Sequence, residues 1–342
     1  MTEITRALAS VQAIKNIRVH PNADSLEIAE VKGWDIIVRK GLHQIGEWVL
    51  YLEIDSFIPV MSQFEFLRKA CFRTTSNLGD GFRLKTIKLR GELSQGLVMP
   101  LADFNIPFDI EVGTDLTAFL GVQKYEKPLP SNLTGRVRGN FPLFIPKTDQ
   151  ERIQNIGGKE RTKYGDDTFE VTVKLDGSSM TVYANEGTFG VCSRNWDLEE
   201  EEGNTYWKVF RDANMHIISM FFGYRNLALQ GELVGPGVNH NRGGLTEHEF
   251  YLFDIYDIDA RRYLTPAERH YMFSYLVELG MKIKQVPMYT YYFPFPSNET
   301  ALGMADTAMF NGRPGEGLVY KSNTNEFSFK AISNKYLLAN DE

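Results

Sequence analysis

Residues 169–180, Phe-Glu-Val-Thr-Val-Lys-Leu-Asp-Gly-Ser-Ser-Met, constrain this chain more than any other stretch. Phe169, Val171 and Val173 alternate with Glu170 and Thr172, the period of two that marks a half-buried strand. The pattern predicts that the strand delivers Lys174 at its end and that Asp176-Gly177 then turns the chain. An amine is nucleophilic only after losing its proton, so a reactive lysine needs neighbouring cations, a metal or desolvation. A lysine fixed on a strand beside an aspartate and a glycine suits attack on a phosphorus centre. The same residues also fit a surface lysine ahead of an ordinary hairpin turn, and the rest of the chain has to decide between the two.

A length of 342 residues predicts two domains, each large enough for its own core. An apolar content of 43% and a charged content of 24% are those of a globular protein. No apolar run reaches the roughly 18 residues of a membrane span, and Met1-Thr-Glu-Ile-Thr-Arg lacks a signal-type stretch. Two cysteines, Cys71 and Cys192, make neither a disulfide framework nor a zinc site. The expected setting is a reducing interior, cytoplasm or nucleus, with no membrane partner. The net charge of −7 argues mildly against nucleic acid, but it is unevenly spread. Residues 1–147 carry +2 and the remainder −9. Within 68–90, Arg68, Lys69, Arg73, Arg83, Lys85, Lys88 and Arg90 face only Asp80. Such a local basic stripe is what a phosphate backbone meets, although a solvated strand face reads the same way.

Residues 1–120 read as β-rich, with strands expected at Val11–Ile17, Ser25–Val31, Asp35–Val38 and Trp48–Ile54 between Asn, Asp and Gly punctuation. Residues 121–147 read as a Pro- and Gly-rich linker and lead-in. Residues 148–342 mix strands and helices. Strands are expected at Phe189–Ser193, Leu227–Val234, Phe250–Tyr256, Leu318–Lys321 and Glu326–Lys330. Thr205–Phe222 has helical spacing, and Thr265-Pro-Ala-Glu caps a helix running to about Leu279. The acidic run Asp197–Glu202 reads as a solvated loop, and Asp149–Ile156 fits a capped helix start.

Two resemblances attach to these residues. His20-Pro-Asn-Ala-Asp-Ser-Leu26, Gly46-Glu-Trp-Val, Asp55-Ser-Phe-Ile-Pro59 and Arg90-Gly-Glu-Leu-Ser-Gln-Gly-Leu-Val-Met99 resemble OB-type barrels of the tRNA-binding kind. Such barrels bind nucleic acid over one face, and the resemblance puts Arg83, Lys85, Lys88 and Arg90 on or near it. The barrel could instead only pack against the second domain, with His20 and Asn22 merely shaping a turn. Lys174-Leu-Asp-Gly resembles motif I of the covalent nucleotidyltransferases, which comprise DNA ligases, RNA ligases and mRNA capping enzymes. Ser193-Arg194-Asn195, Gly231-Glu232-Leu233-Val234-Gly235, Phe253-Asp254-Ile255, Glu316-Gly-Leu-Val-Tyr-Lys321 and Phe329-Lys330 resemble that superfamily's later motifs, in order.

The second resemblance implies an α+β fold: an OB-type β-barrel followed by an ATP-grasp-like nucleotidyltransferase (adenylation) domain with antiparallel sheets. It also implies roles. Lys174 would attack the α-phosphorus of ATP, Glu232 would bind the ribose hydroxyls, Phe253 would stack on adenine, and Arg194 would hold phosphate. Glu316 and Asp176 would hold Mg²⁺ or Mn²⁺, and Lys321 and Lys330 would neutralise phosphate charge. Lys147, Thr148 and Arg152 precede motif I, where the ligases line the nucleotide pocket. Individually, Phe253 as core, Glu232 as a salt-bridge partner and Lys321 as a hairpin-edge charge are equally good readings.

The sequence departs from the superfamily at two places. The usual Lys-x-Lys of motif V reads Lys330-Ala331-Ile332, with Lys335 further on, and the arginine common five residues after the nucleophile is Ser179. Domain order discriminates within the superfamily. The barrel comes first and the chain ends twelve residues past Lys330, which resembles the Deinococcus- and Naegleria-type ATP-dependent RNA ligases. That implies a monomer sealing 3′-OH/5′-phosphate ends, at nicks in duplexes with RNA on the 3′-OH side. DNA ligation, guanylyl transfer, or RNA binding by a non-catalytic protein are the alternatives.

Overall fold

A computed structural model describes residues 6–106, 110–125, 135–221 and 225–339. The chain divides into two compact units, built on Thr5–Lys127 and on Pro128–Tyr336. Most of the expected linker core, residues 126–134, lies outside the described residues.

In the smaller unit, five antiparallel strands run in the order Leu97–Pro100, Trp48–Leu52, Ala9–Val19, Leu26–Val31, Trp34–Arg39. A second sheet orders Gln123–Lys124, Ser56–Pro59, Gly79–Arg83 and Phe72–Thr75. The curled sheets enclose two apolar clusters, one around Leu50, Phe64 and Phe82, the other around Trp34, Tyr51 and Val98. Lys88 and Arg90 lie exposed at the hairpin that joins Ile87–Leu89 to Glu92–Ser94. His20 is buried, and its Nδ1 accepts from the Asn22 amide, so Nε2 donates to the Leu89 carbonyl at 3.1 Å. Asn22 Nδ2 donates to the Arg90 carbonyl at 3.0 Å. These two side chains therefore pin the hairpin that carries the cations.

The larger unit is built on two large sheets, with a two-stranded ribbon of Met309–Phe310 and Arg313–Pro314 beside them. One runs Val137–Asn140, Trp196–Leu198, Thr188–Cys192, Ser178–Asn185, Leu227–Val234, Glu249–Asp257, Arg262–Tyr263. The other runs Glu151–Arg152, Ser328–Ile332, Gly317–Ser322, Thr168–Lys174, Met288–Pro294. Pairing is antiparallel except where Glu151–Arg152 joins Ser328–Ile332 and Lys284–Gln285 joins Glu249–Asp257. Phe169, Val171, Val173, Leu318, Tyr320, Phe329 and Ala331 point into one core, against Ala301 and Ala305 of helix Asn298–Ala305. By strand alternation Lys174, Lys321 and Lys330 stand on the opposite face. The first sheet buries Leu229, Leu233 and Leu252 against helices Thr205–Asp212 and Pro266–Glu278, which turns Gln230 and Glu232 the other way.

Three expectations are corrected. The acidic run is not wholly solvated: Trp196–Leu198 is a strand, and Asp197 is buried, accepting from Arg138 (2.7 Å) and the Tyr183 hydroxyl (2.9 Å). The helix from Thr205 stops at Asp212, because Asn214 takes a left-handed φ of 54° and a 3₁₀ turn, Met215–Phe221, follows. Its expected last residue, Phe222, lies outside the described residues. Residues 151–156 form a short strand and a 3₁₀ turn, and the helix begins later, at Gly158–Tyr164. The Thr265 cap holds as read, with its hydroxyl accepting from the Glu268 amide and the Glu268 carboxylate from the Thr265 amide.

Arg269, on that capped helix, is buried and ion-paired to Glu170, with Asp254 3.6 Å away; Asp254 in turn pairs with Lys321 at 2.7 Å. Four buried charges thus balance two against two. Arg269→Met leaves Glu170 uncompensated and should cost about 3 kcal/mol or more, read as a lower urea midpoint at unchanged slope.

Candidate active site

Lys174 ends the strand Thr168–Lys174 as expected, and its Nζ donates to Glu316 Oε2 at 2.5 Å. Glu316 immediately precedes the strand Gly317–Ser322, whose Gly317 pairs with Lys174 across the ladder. The glycine after Asp176 is needed for a close approach: a Cβ on Gly177 would overlap the Leu233 carbonyl and the Glu232 side chain. That contact lets the Gly177 amide donate to Glu232 Oε1 at 3.0 Å. Gly231 is constrained likewise, since a Cβ there would overlap the Phe250 ring and the Tyr251 carbonyl. The two glycines let two strands and a turn close on one carboxylate.

A recess lined by Lys174, Asp176, Glu316, Arg242 and Tyr336 results. Burial alone would push the Lys174 ammonium toward deprotonation, but Glu316, Glu232 and Asp176 outweigh it and hold its pKa above the ordinary lysine value. Burial raises Glu232 to about 8, with Glu316 and Asp176 adding to the rise and Lys174 and the Gly177 amide opposing it. Burial also raises Glu316, against Lys174. The site therefore holds a protonated lysine beside two carboxyl groups, Glu232 and Glu316, whose pKa values burial raises.

Asp176 is firmly held. Its Oδ2 accepts from the Tyr336 hydroxyl (2.6 Å) and faces Arg242 Nε (2.8 Å), and its Oδ1 accepts from Asn239 Nδ2 (3.0 Å). Burial and the nearby Glu316 and Asp176 keep the Tyr336 phenol protonated. Sequence reasoning missed Arg242, Asn239 and Tyr336. Asn239, His240 and Asn241 all take left-handed φ of 39–61°, a strained run that asparagine tolerates better than most residues. That run, in the Asn- and Gly-rich stretch 239–244, was the available signal.

A second recess is lined by Lys147, Thr148, Asp149, Ser179, Thr181, Arg194 and Gln230. Arg194 donates to Asp149 at 2.7 and 3.0 Å, and Lys147 to Asn195 at 3.3 Å. Ser179 stands opposite Glu232, and Thr181 opposite Gln230. Arg152 is buried and lies level with Lys330 across parallel strands. Lys330 adds a positive charge that opposes the rise at Glu316. Lys321 is placed apart from Lys174: its buried Nζ is bound to Asp254 and, at 2.5 Å, to the Phe253 carbonyl, 5.3 Å from the Phe253 ring centre. The barrel cations sit in the smaller unit, where Arg83 lies 4.2 Å over Tyr125, and Lys85 is half-buried.

A nucleotide fits these residues. Buried Gln230 Oε1 accepts no hydrogen bond from the described residues, in a recess with two cations and three hydroxyls. A divalent ion held wholly by protein does not fit: no group of three His, Cys, Asp or Glu converges among the described residues. Glu316 or Asp176 as one of few protein ligands, with phosphate oxygens and water completing the shell, does fit a hard cation.

These features, a recess holding Lys174 among carboxyl groups and a separate OB-type unit, call for comparison with known proteins. A family model described as RNA ligase matches residues 167–335, and one described as an OB-fold domain matches residues 8–101. Naegleria gruberi RNA ligase, solved as a lysine-to-methionine mutant with AMP and Mn, is 42% identical with a TM-score of 0.92, covering 97% of this chain and 98% of that one. A lysine-to-alanine mutant with ATP and Mn is 41% identical at TM-score 0.92, over 96% and 98%. The same ligase with PPi gives 42% and 0.92, over 97% and 98%. No match was found among the curated proteins. The chain belongs to the RNA ligase family.

Glu232→Gln keeps an acceptor for the Gly177 amide and removes the titration. A folded-state pKa above the unfolded one gives support that is full below about 4.5 and is lost as pH rises through about 8. The nucleotide-free variant should therefore gain Tm on wild type between pH 5 and 8, by roughly 2–4 °C per kcal/mol of relief. Scanning calorimetry that finds a margin independent of pH would contradict the assignment.

Proposed function

We propose that this protein is an ATP-dependent RNA ligase that uses a divalent metal, and that it joins a 3′-OH to a 5′-phosphate in three steps. The observation that carries the reading is Lys174, fixed at a strand end between Glu316, Glu232 and Asp176. ATP is consumed as a substrate. Lys174 Nζ, once deprotonated, attacks the α-phosphorus and expels pyrophosphate, leaving AMP on the nitrogen as a phosphoramidate. A 5′-phosphate oxygen of the RNA then attacks the same phosphorus and frees Lys174. The 3′-OH finally attacks the 5′-phosphate and AMP departs. Bound Mg²⁺ or Mn²⁺ supplies positive charge against the phosphates and the carboxylates around Lys174.

In this reading Glu232 faces the ribose, Phe253 the base, and Lys147, Thr148, Arg152 and Arg194 the remainder of the nucleotide. Lys330 stabilises charge building at phosphorus. Lys321 serves through Phe253, whose backbone it anchors, and Asp176 positions the turn after Lys174. The expected substrate is a nicked duplex with RNA on the 3′-OH side, bound by a monomer within the cell, where Cys71 and Cys192 stay as free thiols. No helix among the described residues is long and apolar enough to cross a membrane. Arg83, Lys85, Lys88 and Arg90 contribute phosphate contacts on the barrel. As domain limits we propose 1–120 for the barrel, 121–147 for the linker and 148–342 for the adenylation domain.

Incubation with α-labelled ATP and metal should leave label on the wild-type chain through a denaturing gel, and none on Lys174→Ala. Label from GTP instead would turn the reading to guanylyl transfer, and equal sealing of all-DNA nicks would turn it to DNA ligation. Reversing Lys88 and Arg90 to glutamate should weaken nick sealing while leaving self-adenylylation intact. For every phosphate that the barrel no longer neutralises, the log–log salt dependence of binding should flatten by about 0.9. Equal loss of both activities would assign the barrel a supporting role only.

A further inference from the structure

The second recess contains a buried polar atom that the reading above does not use. Gln230 is fully buried on the strand Leu227–Val234, and its Nε2 donates to the Pro146 carbonyl at 2.8 Å. A carbonyl can only accept, so this bond fixes which end of the amide is nitrogen and which is oxygen. Oε1 is left as a buried acceptor with no donor among the described residues. A buried acceptor without a donor costs about 1–3 kcal/mol, a cost that a ligand able to donate would remove.

Its position says which part of the ligand donates. Gln230 and Glu232 lie two residues apart on one face of one strand, a separation of about 7 Å, which a nucleoside's ribose and base span. Glu232 lies beside Lys174 and Glu316, and Gln230 is one step further from the reacting atoms. Across the ladder Gln230 stands opposite Asp254, next to the bulge that carries Phe253. Its Nε2 holds the Pro146 carbonyl, and from there the chain continues into Lys147 and Thr148 of the recess.

We infer that Gln230 selects the nucleobase: its Oε1 accepts a hydrogen bond from the exocyclic 6-amino group of adenine. This rests on the ligase reading, in which ATP occupies the two recesses. Guanine presents a carbonyl oxygen at that position, so acceptor would face acceptor, and the bond from Nε2 to Pro146 prevents the amide from flipping to accommodate it. Discrimination of this kind is large because the wrong base leaves a buried group unpaired.

The test compares ATP with purine riboside triphosphate, which lacks only the 6-amino group, as substrates for self-adenylylation-type labelling under single-turnover conditions. Wild type should favour ATP by about tenfold, the worth of one good hydrogen bond. In Gln230→Leu and Gln230→Met the preference should fall to near one, through loss of rate with ATP and not with the amine-free nucleotide. If the variants slow both nucleotides in parallel and keep the preference, Gln230 only braces the Pro146 segment and the inference is overturned. Equal use of both nucleotides by wild type overturns it without recourse to any variant. Label from neither nucleotide on wild type would instead remove the ligase reading, and the inference with it.

Discussion

The site depends on one electrostatic arrangement: the Lys174 amine is held among three carboxyl groups, Glu316, Glu232 and Asp176, that keep it charged. The 2.5 Å contact between Lys174 and Glu316 pairs two charges that burial leaves poorly hydrated, so removing either partner would strand the other. It also disables attack, because an ammonium has no lone pair. The same groups are those that positive charge would neutralise, so the arrangement links deprotonation of Lys174 to ligand binding.

Two sheets bring these groups together, and each contributes through strand alternation. Lys174 projects away from a core of Phe169, Tyr320 and Phe329, while Glu232 projects away from Leu229, Leu233 and Leu252. Behind them, Glu170, Arg269, Asp254 and Lys321 tie the second sheet to the first sheet's helix and strand. Burial pushes the Lys321 ammonium below its ordinary pKa, and Asp254 works against that. The network therefore fixes the Phe253 backbone as firmly as it fixes charge. Strain at Asn239–Asn241 has a similar use, holding Asn239 and Arg242 on Asp176.

Much of this was legible in the sequence, for definite reasons. Leu227–Val234 could be read to the residue because a buried strand bounded by polar residues has few alternatives. The lysine strand and the Thr265 cap were legible because alternation and capping chemistry are local. Asp197 was misread because an acidic run looks solvated unless Arg138 and Tyr183, distant in sequence, are known to meet it. Nothing local reveals that Lys321 also meets Asp254 and the Phe253 carbonyl, because both lie far from it in the chain. The stretches that hold Arg242 and Tyr336 could be noticed in the sequence, but only the fold places the two side chains at Asp176.

The most direct test of this account is the titration of Lys174 itself, by NMR of ¹⁵Nζ-labelled lysine with the signal assigned by its loss in Lys174→Arg. The account predicts that the nucleotide-free protein shows Lys174 titrating above the ordinary lysine value, and that Mg²⁺ with a non-hydrolysable ATP analogue lowers it. A Lys174 already depressed in the free protein, or one that does not respond to nucleotide and metal, would contradict it.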